Sequence, residues 1–188
     1  MIGVDEAGRG PLAGPVCAAA VALPPGADQW GLADSKTLRE RRRLALAERV
    51  RAEARAWALG WASVEEIDQL NILQATLLAM HRAVQGCLVR LGSLEPILVD
   101  GSIHPAAHLR SVAWDWPTET LVGGDALRCE ISAASILAKT ARDEEMRRLD
   151  LLHPGYGFAR HAGYPTVAHR AALRVLGPSP VHRRSFRL

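Results

Sequence analysis

Short apolar runs alternate along the chain with longer segments in which apolar residues recur every three or four positions. The runs typical of strands cover residues 2–4, 16–23, 57–61, 96–100 and a short stretch near 121–122. The longer segments predict helices over residues 37–54, 72–91, 130–151 and 166–177. Strands that begin early and then alternate with helices predict a single α/β domain over residues 1–188.

Several of the predicted helix boundaries have recognisable signals. Thr37 and Glu40 have the spacing of a capping box at the start of the first helix. Asn71 is a suitable N-cap for the second helix, and Gly92 is suited to its end. Residues 153–165 are rich in proline, glycine and aromatic residues, which predicts an irregular loop before Thr166 caps the last helix.

Composition narrows the class of protein. A chain of 188 residues can bury roughly 70% of the surface of its unfolded state. The net charge of +3 permits an anionic partner such as nucleic acid without proving one. Cys17, Cys87 and Cys129 lack a Cys-x-x-Cys spacing, which argues against disulfides and zinc. The sequence has no run of about 18 apolar residues and no basic leader, so a soluble cytoplasmic protein is expected.

Four acidic residues stand where apolar runs end or the chain turns: Asp5, Glu6, Asp100 and Asp125. Side chains alternate along a strand, so Asp5 and Glu6 can serve one site only if the strand ends or twists between them. Any one of these acids is explained equally well as a cap of a helix or turn. As a set at the ends of neighbouring strands they predict a site for Mg²⁺ or Mn²⁺. Two such ions about 4 Å apart are a common device for displacement at phosphorus.

A polar stripe runs along the helix predicted over residues 130–151. It consists of Ser132, Ser135, Lys139 and Asp143. A solvated face is one explanation, but such faces usually carry long charged side chains. Short hydroxyl groups with one lysine favour a stripe directed at the acids or at a phosphate.

The loop 156–164 interleaves aromatic residues with cations. Tyr156, Phe158 and Tyr164 alternate there with arginine and histidine. This composition suits stacking on bases or sugars beside phosphate contacts, and a packed loop with aromatic anchors explains it equally well. The basic residues at 182–184 form a cluster too short to specify a function.

Taken together, these stretches resemble ribonuclease HII, the type 2 ribonuclease H, in its bacterial form. The matching segments follow the order of that family along almost the whole chain. They are residues 4–16, Asp34-Ser35-Lys36, Asn71-Ile72-Leu73, Val99-Asp100-Gly101, residues 124–139, Tyr156-Gly157-Phe158, His161, Gly163-Tyr164-Pro165-Thr166 and residues 182–186. Segments 4–16 and 124–139 are the most specific.

The resemblance implies a ribonuclease H-like fold, in which a mixed central sheet is flanked by helices. It places the catalytic, metal-binding acids of the family on Asp5, Glu6, Asp100 and Asp125. The motif Gly8-Arg9-Gly10 would contact the sugar and backbone at the ribonucleotide.

The remaining site residues have lesser expected roles. Tyr164 would sense the junction between RNA and DNA. Lys36, Lys139 and His161 are expected to contact phosphates. Ser132, Ser135 and Asp143 would have supporting roles.

The activity expected from the resemblance is endonucleolytic cleavage of the RNA strand of RNA–DNA hybrids, and cleavage 5′ to single ribonucleotides in duplex DNA. Two Mg²⁺ or Mn²⁺ ions held by the four acids would drive hydrolysis and leave 3′-hydroxyl and 5′-phosphate ends. The expected partners are therefore hybrids and ribonucleotide-containing duplexes, with no membrane contact. A monomer is expected, and a sliding clamp is left open as a further partner.

Two other functions stay open. A DNA nuclease on the same fold is disfavoured by Gly8-Arg9-Gly10 and Tyr164, because DNA has no 2′-hydroxyl group to be recognised. A non-catalytic nucleic-acid-binding module is disfavoured because all four candidate acids are present.

Overall fold

A computed structural model of the chain describes residues 1–35 and 37–187. The central sheet has five strands in the order β3-β2-β1-β4-β5. The strands are β1 (Ile2–Ala7), β2 (Val16–Ala22), β3 (Ala56–Ala62), β4 (Ile97–Asp100) and β5 (Thr118–Leu121). Because β1 pairs antiparallel with β2 and parallel with β4, the sheet is mixed, as expected.

The two halves of the sheet differ in their connections. Strands β1, β2 and β3 are antiparallel neighbours, whereas β1, β4 and β5 run parallel. Parallel neighbours need a long connection between them, which here contains helices. The carboxyl ends of β1, β4 and β5 consequently meet at one edge of the sheet, which is where the aspartates lie.

Helices cover both faces of the sheet. They are α1 (Glu40–Glu53), α2 (Val64–Leu70), α3 (Ile72–Leu91), α4 (Pro105–His108), α5 (Gly124–Leu127), α6 (Cys129–Leu152), α7 (Phe158–His161) and α8 (Val167–Leu176), with a short 3-10 helix at Ala27–Trp30. Helix α3 packs its apolar residues on one face of the sheet. Helices α1 and α6 pack on the other. A smaller apolar cluster joins the end of α6 to the loop before α7.

Two glycines allow the helices to lie close to the sheet. A Cβ atom at Gly3 would overlap the backbone of Glu130 and Ile131 in α6. A Cβ atom at Gly60 would overlap the carbonyl group of Ala79 in α3. The start of α6 is therefore in direct contact with β1, and this contact places the polar stripe of α6 next to the acids.

The structure confirms most predicted helix boundaries. The Asn71 side chain accepts from the Gln74 N–H group at 3.1 Å, the Thr166 hydroxyl accepts from His169 N–H at 3.2 Å, and Gly92 ends α3 with φ 71°. The predicted Thr37–Glu40 capping box is wrong. Helix α1 begins at Glu40 without a side-chain cap, because the Thr37 hydroxyl instead donates to the Asp34 carbonyl at 2.8 Å within the preceding turn.

Five short elements were not predicted: α2, α4, α5, α7 and the 3-10 helix at Ala27–Trp30. Helix α2 begins with a capping box formed by Ser63 and Glu66, a signal that the sequence contains. Helix α7 is a single turn inside the predicted loop. The run near residues 121–122 marks the end of β5, which lies mostly before it.

Within the described residues, one helix, α3, is long and apolar enough by length and composition to cross a membrane. Ten of its residues are buried in the fold. The core of the protein therefore accounts for the apolar surface of this helix.

Candidate metal centre and nucleic-acid interface

Three aspartates meet where β1, β4 and β5 end. Asp5 lies in β1, Asp100 is the last residue of β4, and Asp125 lies in α5 just after β5. Asp5 comes next to Asp100 because Val4 is paired with Val99 in the parallel register. One carboxylate oxygen from each aspartate lies within 4.8 Å of the other two. The structure thus brings together three of the four acids singled out from the sequence.

Glu6 stands beside this group of three. The sequence required a strand that ends or twists between the two acids, and β1 does not end there, because it continues through Glu6 to Ala7. Because side chains alternate along the strand, Glu6 leaves on the α3 side, where it lines a cavity of about 160 Å³ together with Asp100. Arg9 Nη1 lies 3.4 Å from Glu6 Oε1. Glu6 therefore approaches the site from the side opposite to Asp5.

Burial and crowded negative charge raise the pKa of two of the acids. Asp5 is only 6% exposed, and burial, followed by repulsion from Glu6, raises its pKa well above the ordinary value. Burial also raises the pKa of Glu6, against the opposing effect of Arg9. A cation at this edge would favour the ionised form of both acids.

Hydrogen bonds from the backbone orient two of the carboxylates. The Gly124 N–H group donates to Asp100 Oδ1 at 2.8 Å, and the Glu6 N–H group donates to Asp5 Oδ1 at 2.7 Å. The Asp100 carboxylate is thus held by the segment after β5, and the Asp5 carboxylate by the backbone of β1 itself.

The polar stripe of α6 faces the acids. The Ser135 hydroxyl bonds to Asp5 and lies 2.9 Å from the Ser35 hydroxyl. The Ser132 hydroxyl donates to the Asp125 carbonyl at 2.7 Å. The prediction that these short hydroxyl groups face the acids and not solvent is confirmed.

A second cavity, of about 250 Å³, adjoins the acids. Its lining consists of Glu6, Ala7, Gly8, Arg9, Gly10, Ser35, Ser135, Lys139 and Tyr164. Tyr164 is 43% exposed, and a Cβ atom at Gly10 would lie 3.5 Å from its ring. The Gly8-Arg9-Gly10 motif and Tyr164, far apart in sequence, therefore border the same cavity.

Gly8 is required by its backbone conformation and by its neighbour. Its φ is +100°, and a Cβ atom there would overlap the guanidinium group of Arg142. Buried Arg142 donates to the carbonyls of Pro15 at 3.1 Å and Ala162 at 3.0 Å. Nothing in the sequence distinguished this arginine from the exposed ones on the same helix.

Lys139 and Asp143 form an ion pair at 2.6 Å. Arg43 Nη2 lies 3.5 Å from the other carboxylate oxygen of Asp143, and Arg43 Nη1 donates to the Ser35 carbonyl at 3.2 Å. Arg43 thus ties the loop before α1 to α6. Lys36, the other lysine singled out, lies outside the described residues.

Most of the loop 156–164 is packed. Tyr156 and Phe158 are buried and stacked, with ring centroids 5.3 Å apart, so the packed-loop interpretation is right for them. His161 bonds through Nε2 to the Tyr156 carbonyl at 2.9 Å and accepts through Nδ1 from Gly163 N–H at 3.2 Å. With both ring nitrogens engaged by the backbone, these contacts do not support the expected phosphate contact of His161.

Arg183 is a functional candidate that the sequence reasoning missed. It is fully buried and donates to backbone carbonyls of the segment 8–15. A short basic run normally lies at the surface, which is why it attracted no assignment. The segment 8–15 could have indicated such a residue. Its glycines and prolines form no regular structure, so its carbonyl groups need hydrogen-bond donors from elsewhere in the chain.

The donor set of this edge fits a hard divalent cation. Its ligand atoms are carboxylate oxygens from Asp5, Asp100 and Asp125, with Glu6 close by. Such all-oxygen sets suit Mg²⁺ or Mn²⁺ better than zinc. Burial raises the pKa of Asp5 and of Glu6, and in Glu6 it does so in spite of the nearby Arg9, so a bound cation would stabilise the ionised form of both acids.

Known proteins share both the sequence and the fold. The model of the family described as Ribonuclease HII matches residues 2–188. The Ribonuclease HII of Laribacter hongkongensis is 59% identical over 98% of this chain and 89% of its own length. The Ribonuclease HII of Nitrosomonas europaea is 57% identical over 98% of this chain and 81% of its own length.

A solved structure supports the same conclusion about the fold. A chain from the PCNA:RNase HII complex of Archaeoglobus fulgidus superimposes with a TM-score of 0.77 at 25% identity. The match covers 100% of this chain and 95% of that one. The expected ribonuclease H-like fold is confirmed.

Proposed function

This chain belongs to the ribonuclease HII family and is a metal-dependent ribonuclease H, and we propose that it cuts both long RNA–DNA hybrids and duplex DNA that contains a single ribonucleotide. On the second substrate the cut falls 5′ to the ribonucleotide and leaves 3′-hydroxyl and 5′-phosphate ends. The observation that carries this proposal is the meeting of Asp5, Asp100 and Asp125 within 4.8 Å beside the cavity of Tyr164.

The four acids are proposed to hold two divalent cations. Asp5, Asp100 and Asp125 supply the shared group of oxygens, and Glu6 adds a carboxylate from the α3 side. When bound, such ions polarise a water and neutralise charge on the phosphate and the leaving oxygen. Mg²⁺ and Mn²⁺ both suit this donor set.

The protein groups next to the acids are proposed to orient both the acids and the substrate. The Ser135 hydroxyl and the backbone N–H of Gly124 keep Asp5 and Asp100 turned towards each other. Lys139 lines the adjoining cavity and is proposed to contact the phosphate next to the cleaved bond. Its pairing with Asp143 fixes the direction of its side chain.

Recognition of the ribonucleotide is proposed to depend on the cavity of about 250 Å³. The glycines of Gly8-Arg9-Gly10 have no side chains, so backbone groups there can approach a 2′-hydroxyl group, the one group that distinguishes RNA from DNA at a given sugar. The exposed ring of Tyr164 borders the other side and is proposed to pack on the sugar at the junction. Arg9, which is exposed, contributes positive charge at the entrance.

A sliding clamp is a further proposed partner. The ground for it is the Archaeoglobus relative, which was solved in a complex with PCNA. A monomer, alone or bound to a clamp, is proposed to be sufficient for activity, because all the residues proposed for catalysis come from one chain.

The proposal is tested with labelled duplexes that differ only in their ribonucleotide content. One contains a single ribonucleotide, one is a long hybrid, and one is all DNA; each is incubated with Mg²⁺ and with a chelator. We expect Mg²⁺-dependent cleavage of the first two, with a cut 5′ to the single ribonucleotide, and an intact DNA control. Cleavage of all three would make the protein a DNA nuclease. Binding without cleavage would make it a non-catalytic module.

A further inference from the structure

Residues 179–183, the anchoring segment, lie beneath the two elements that are proposed to recognise the ribonucleotide. One element is Gly8-Arg9-Gly10 and the other is Tyr164. The anchoring segment has no part in the proposed metal site, yet His182 is 1% exposed and Arg183 is fully buried. Burying a charged guanidinium group is costly unless its donors are satisfied, so the contacts of this segment call for an explanation.

Arg183 satisfies its donors on the carbonyls of the recognition motif. Its Nη2 donates to the Gly8 carbonyl at 2.6 Å. Its Nη1 donates to the carbonyls of Arg9 at 2.9 Å and Pro11 at 2.8 Å. Its Nε donates to the Gly14 carbonyl at 2.9 Å.

These bonds determine where the amides of the motif point. In a trans peptide the C=O and N–H groups point in opposite directions, and the described residues contain no cis peptide bond. Because the carbonyls of Gly8 and Arg9 are directed at Arg183, the N–H groups of Arg9 and Gly10 are directed away from it. Gly8, Arg9 and Gly10 also line the cavity beside the acids, so this arrangement presents the N–H groups of Arg9 and Gly10 on the substrate side.

The second element is held by a chain of two imidazoles. His169 Nδ1 lies 2.9 Å from the Tyr164 carbonyl, and His169 Nε2 lies 3.0 Å from His182 Nε2. His182 Nδ1 lies 2.9 Å from the backbone nitrogen of Ser179. The chain thus runs from Tyr164 to the anchoring segment without a gap.

The two ends of this chain fix both tautomers. A carbonyl only accepts, so His169 Nδ1 carries the proton that it donates to Tyr164, and its Nε2 is the acceptor. His182 Nε2 must then be the donor, which leaves His182 Nδ1 to accept from Ser179 N–H. This pattern requires two neutral imidazoles, and burial lowers the pKa of His169 and lowers that of His182 to about 4.

Backbone bonds join the two elements to the same support. The Leu12 N–H group donates to the Gly163 carbonyl, next to Tyr164, at 2.8 Å. The Arg183 N–H group donates to the Leu12 carbonyl at 2.8 Å, and Gly14 N–H donates to Val181 at 2.9 Å. The motif, Tyr164 and the anchoring segment are therefore one hydrogen-bonded unit.

We propose that His169, His182 and Arg183 are positioning residues, which set Tyr164 and the amides of Gly8-Arg9-Gly10 at a fixed separation that admits the sugar of a single ribonucleotide. This inference rests on the proposed function, because it assumes that Tyr164 senses the junction. A single 2′-hydroxyl group offers one point of recognition, so a displacement of about 1 Å between the two elements should be costly. A long hybrid presents consecutive ribonucleotides and tolerates such a displacement better.

The test measures the ratio of the cleavage rate on a single embedded ribonucleotide to the rate on a long hybrid. His169→Leu removes the bond to Tyr164, whereas His169→Asn retains a side-chain N–H group near the position of Nδ1. We expect His169→Leu to lower the ratio about tenfold and His169→Asn to restore it to within about threefold of the unmodified protein. His108→Leu, at an exposed histidine, is the matched control and should leave the ratio unchanged.

The variant Tyr164→Ala distinguishes a failure of the role proposed for Tyr164 from a failure of the role proposed for His169. If Tyr164→Ala leaves the ratio unchanged, the role proposed for Tyr164 is wrong. If Tyr164→Ala lowers the ratio and His169→Leu lowers both rates equally, His169 only stabilises the fold and the inference is overturned.

A second variant decides the matter if His169→Leu does not fold. His182→Asn retains an acceptor for Ser179 N–H near the position of Nδ1 and loses the donor to His169. We expect it to lower the ratio about threefold, with a circular dichroism spectrum like that of the unmodified protein. An unchanged ratio in this folded variant would overturn the inference.

Discussion

The acidic edge of the sheet and the anchoring segment solve the problem of buried charge in opposite ways. At the edge, Asp5 and Glu6 are brought together with Asp100, and burial and mutual repulsion raise the pKa of both. In the anchoring segment, the buried guanidinium of Arg183 donates to five carbonyls. The edge is proposed to be completed by a cation from solution, whereas the anchoring segment is complete within the protein. The comparison distinguishes a region that is proposed to bind metal from a region that holds the neighbouring recognition elements in position.

The two regions also respond to pH with opposite sign. The raised pKa of Asp5 means that, without metal, the folded state gains stability as the pH falls and loses it as the pH rises through the folded pKa. The lowered pKa of His182 means that its contribution is complete above about 6.5 and is lost as the pH falls towards about 4.

The largest expected effect is the loss of catalysis when the acidic edge loses one charge. Asp100→Asn keeps the size of the side chain and its bond from Gly124 N–H. It removes the negative charge that Asp100 contributes to the group that it forms with Asp5 and Asp125. Rates on both the single-ribonucleotide duplex and the long hybrid should fall on the order of a thousandfold, with an unchanged melting curve in chelator or a stabilised one. Asp28→Asn, at an exposed position, is the control. Rates near those of the unmodified protein in Asp100→Asn would remove this residue from the metal site.

The next largest effect is expected in the anchoring segment and concerns stability. Arg183→Met retains much of the buried volume but leaves several carbonyls without a donor. The free energy of unfolding should fall by about 3 kcal/mol or more, as when one partner of a buried polar network is removed. Arg184→Met alters the exposed neighbour and should change the stability by less than about 0.5 kcal/mol. Equal effects of the two substitutions in urea titrations would show that the carbonyl contacts of Arg183 contribute little.

The sequence was sufficient for the acidic edge and insufficient for the anchoring segment, and the reason is physical. Acids at the ends of apolar runs converge in any sheet that makes those strands parallel neighbours, so Asp5, Asp100 and Asp125 could be found from local pattern. The contacts of Arg183 join residues far apart in the chain, and no periodicity marks them.

Local signals also failed where a competing partner was available. The Thr37–Glu40 spacing predicts a cap, but the Thr37 hydroxyl bonds to the Asp34 carbonyl instead. The interleaved aromatic residues of the loop 156–164 looked uniform in sequence. The fold divides them into buried Tyr156 and Phe158 and exposed Tyr164, because only the first two reach the apolar cluster below.

A smaller effect is expected from titration of the histidine chain. The pKa of His182 is lowered from 6.5 to about 4 by burial, with a further contribution from His169. Between pH 7.5 and 5 the unfolded state takes up a proton that folded His182 does not, so the free energy of unfolding should fall by about 2 kcal/mol. His182→Gln removes the titrating group. The difference in the free energy of unfolding between the unmodified protein and His182→Gln, measured in chelator, should show this pH dependence. His108→Gln should retain the full dependence; a parallel course of all three curves would contradict the assignment.

The smallest expected effect concerns the acidic edge. It tests how far hydrogen bonds from the protein, rather than the metal, orient the carboxylates. The Ser135 hydroxyl bonds to Asp5 and lies 2.9 Å from the Ser35 hydroxyl. Ser135→Ala therefore removes one of the bonds that orient Asp5, keeps the bond from Glu6 N–H, and removes no charge. Affinity for Mn²⁺, measured by calorimetry, should fall about tenfold, as is common when a residue that orients a ligand is removed. Rates at saturating Mn²⁺ should recover to within about threefold, because the ligands themselves remain. Ser111→Ala, at an exposed position, controls for the loss of a hydroxyl. An affinity unchanged in Ser135→Ala would mean that the strand ends alone orient Asp5, and that the polar stripe of α6 serves the substrate cavity and not the metal.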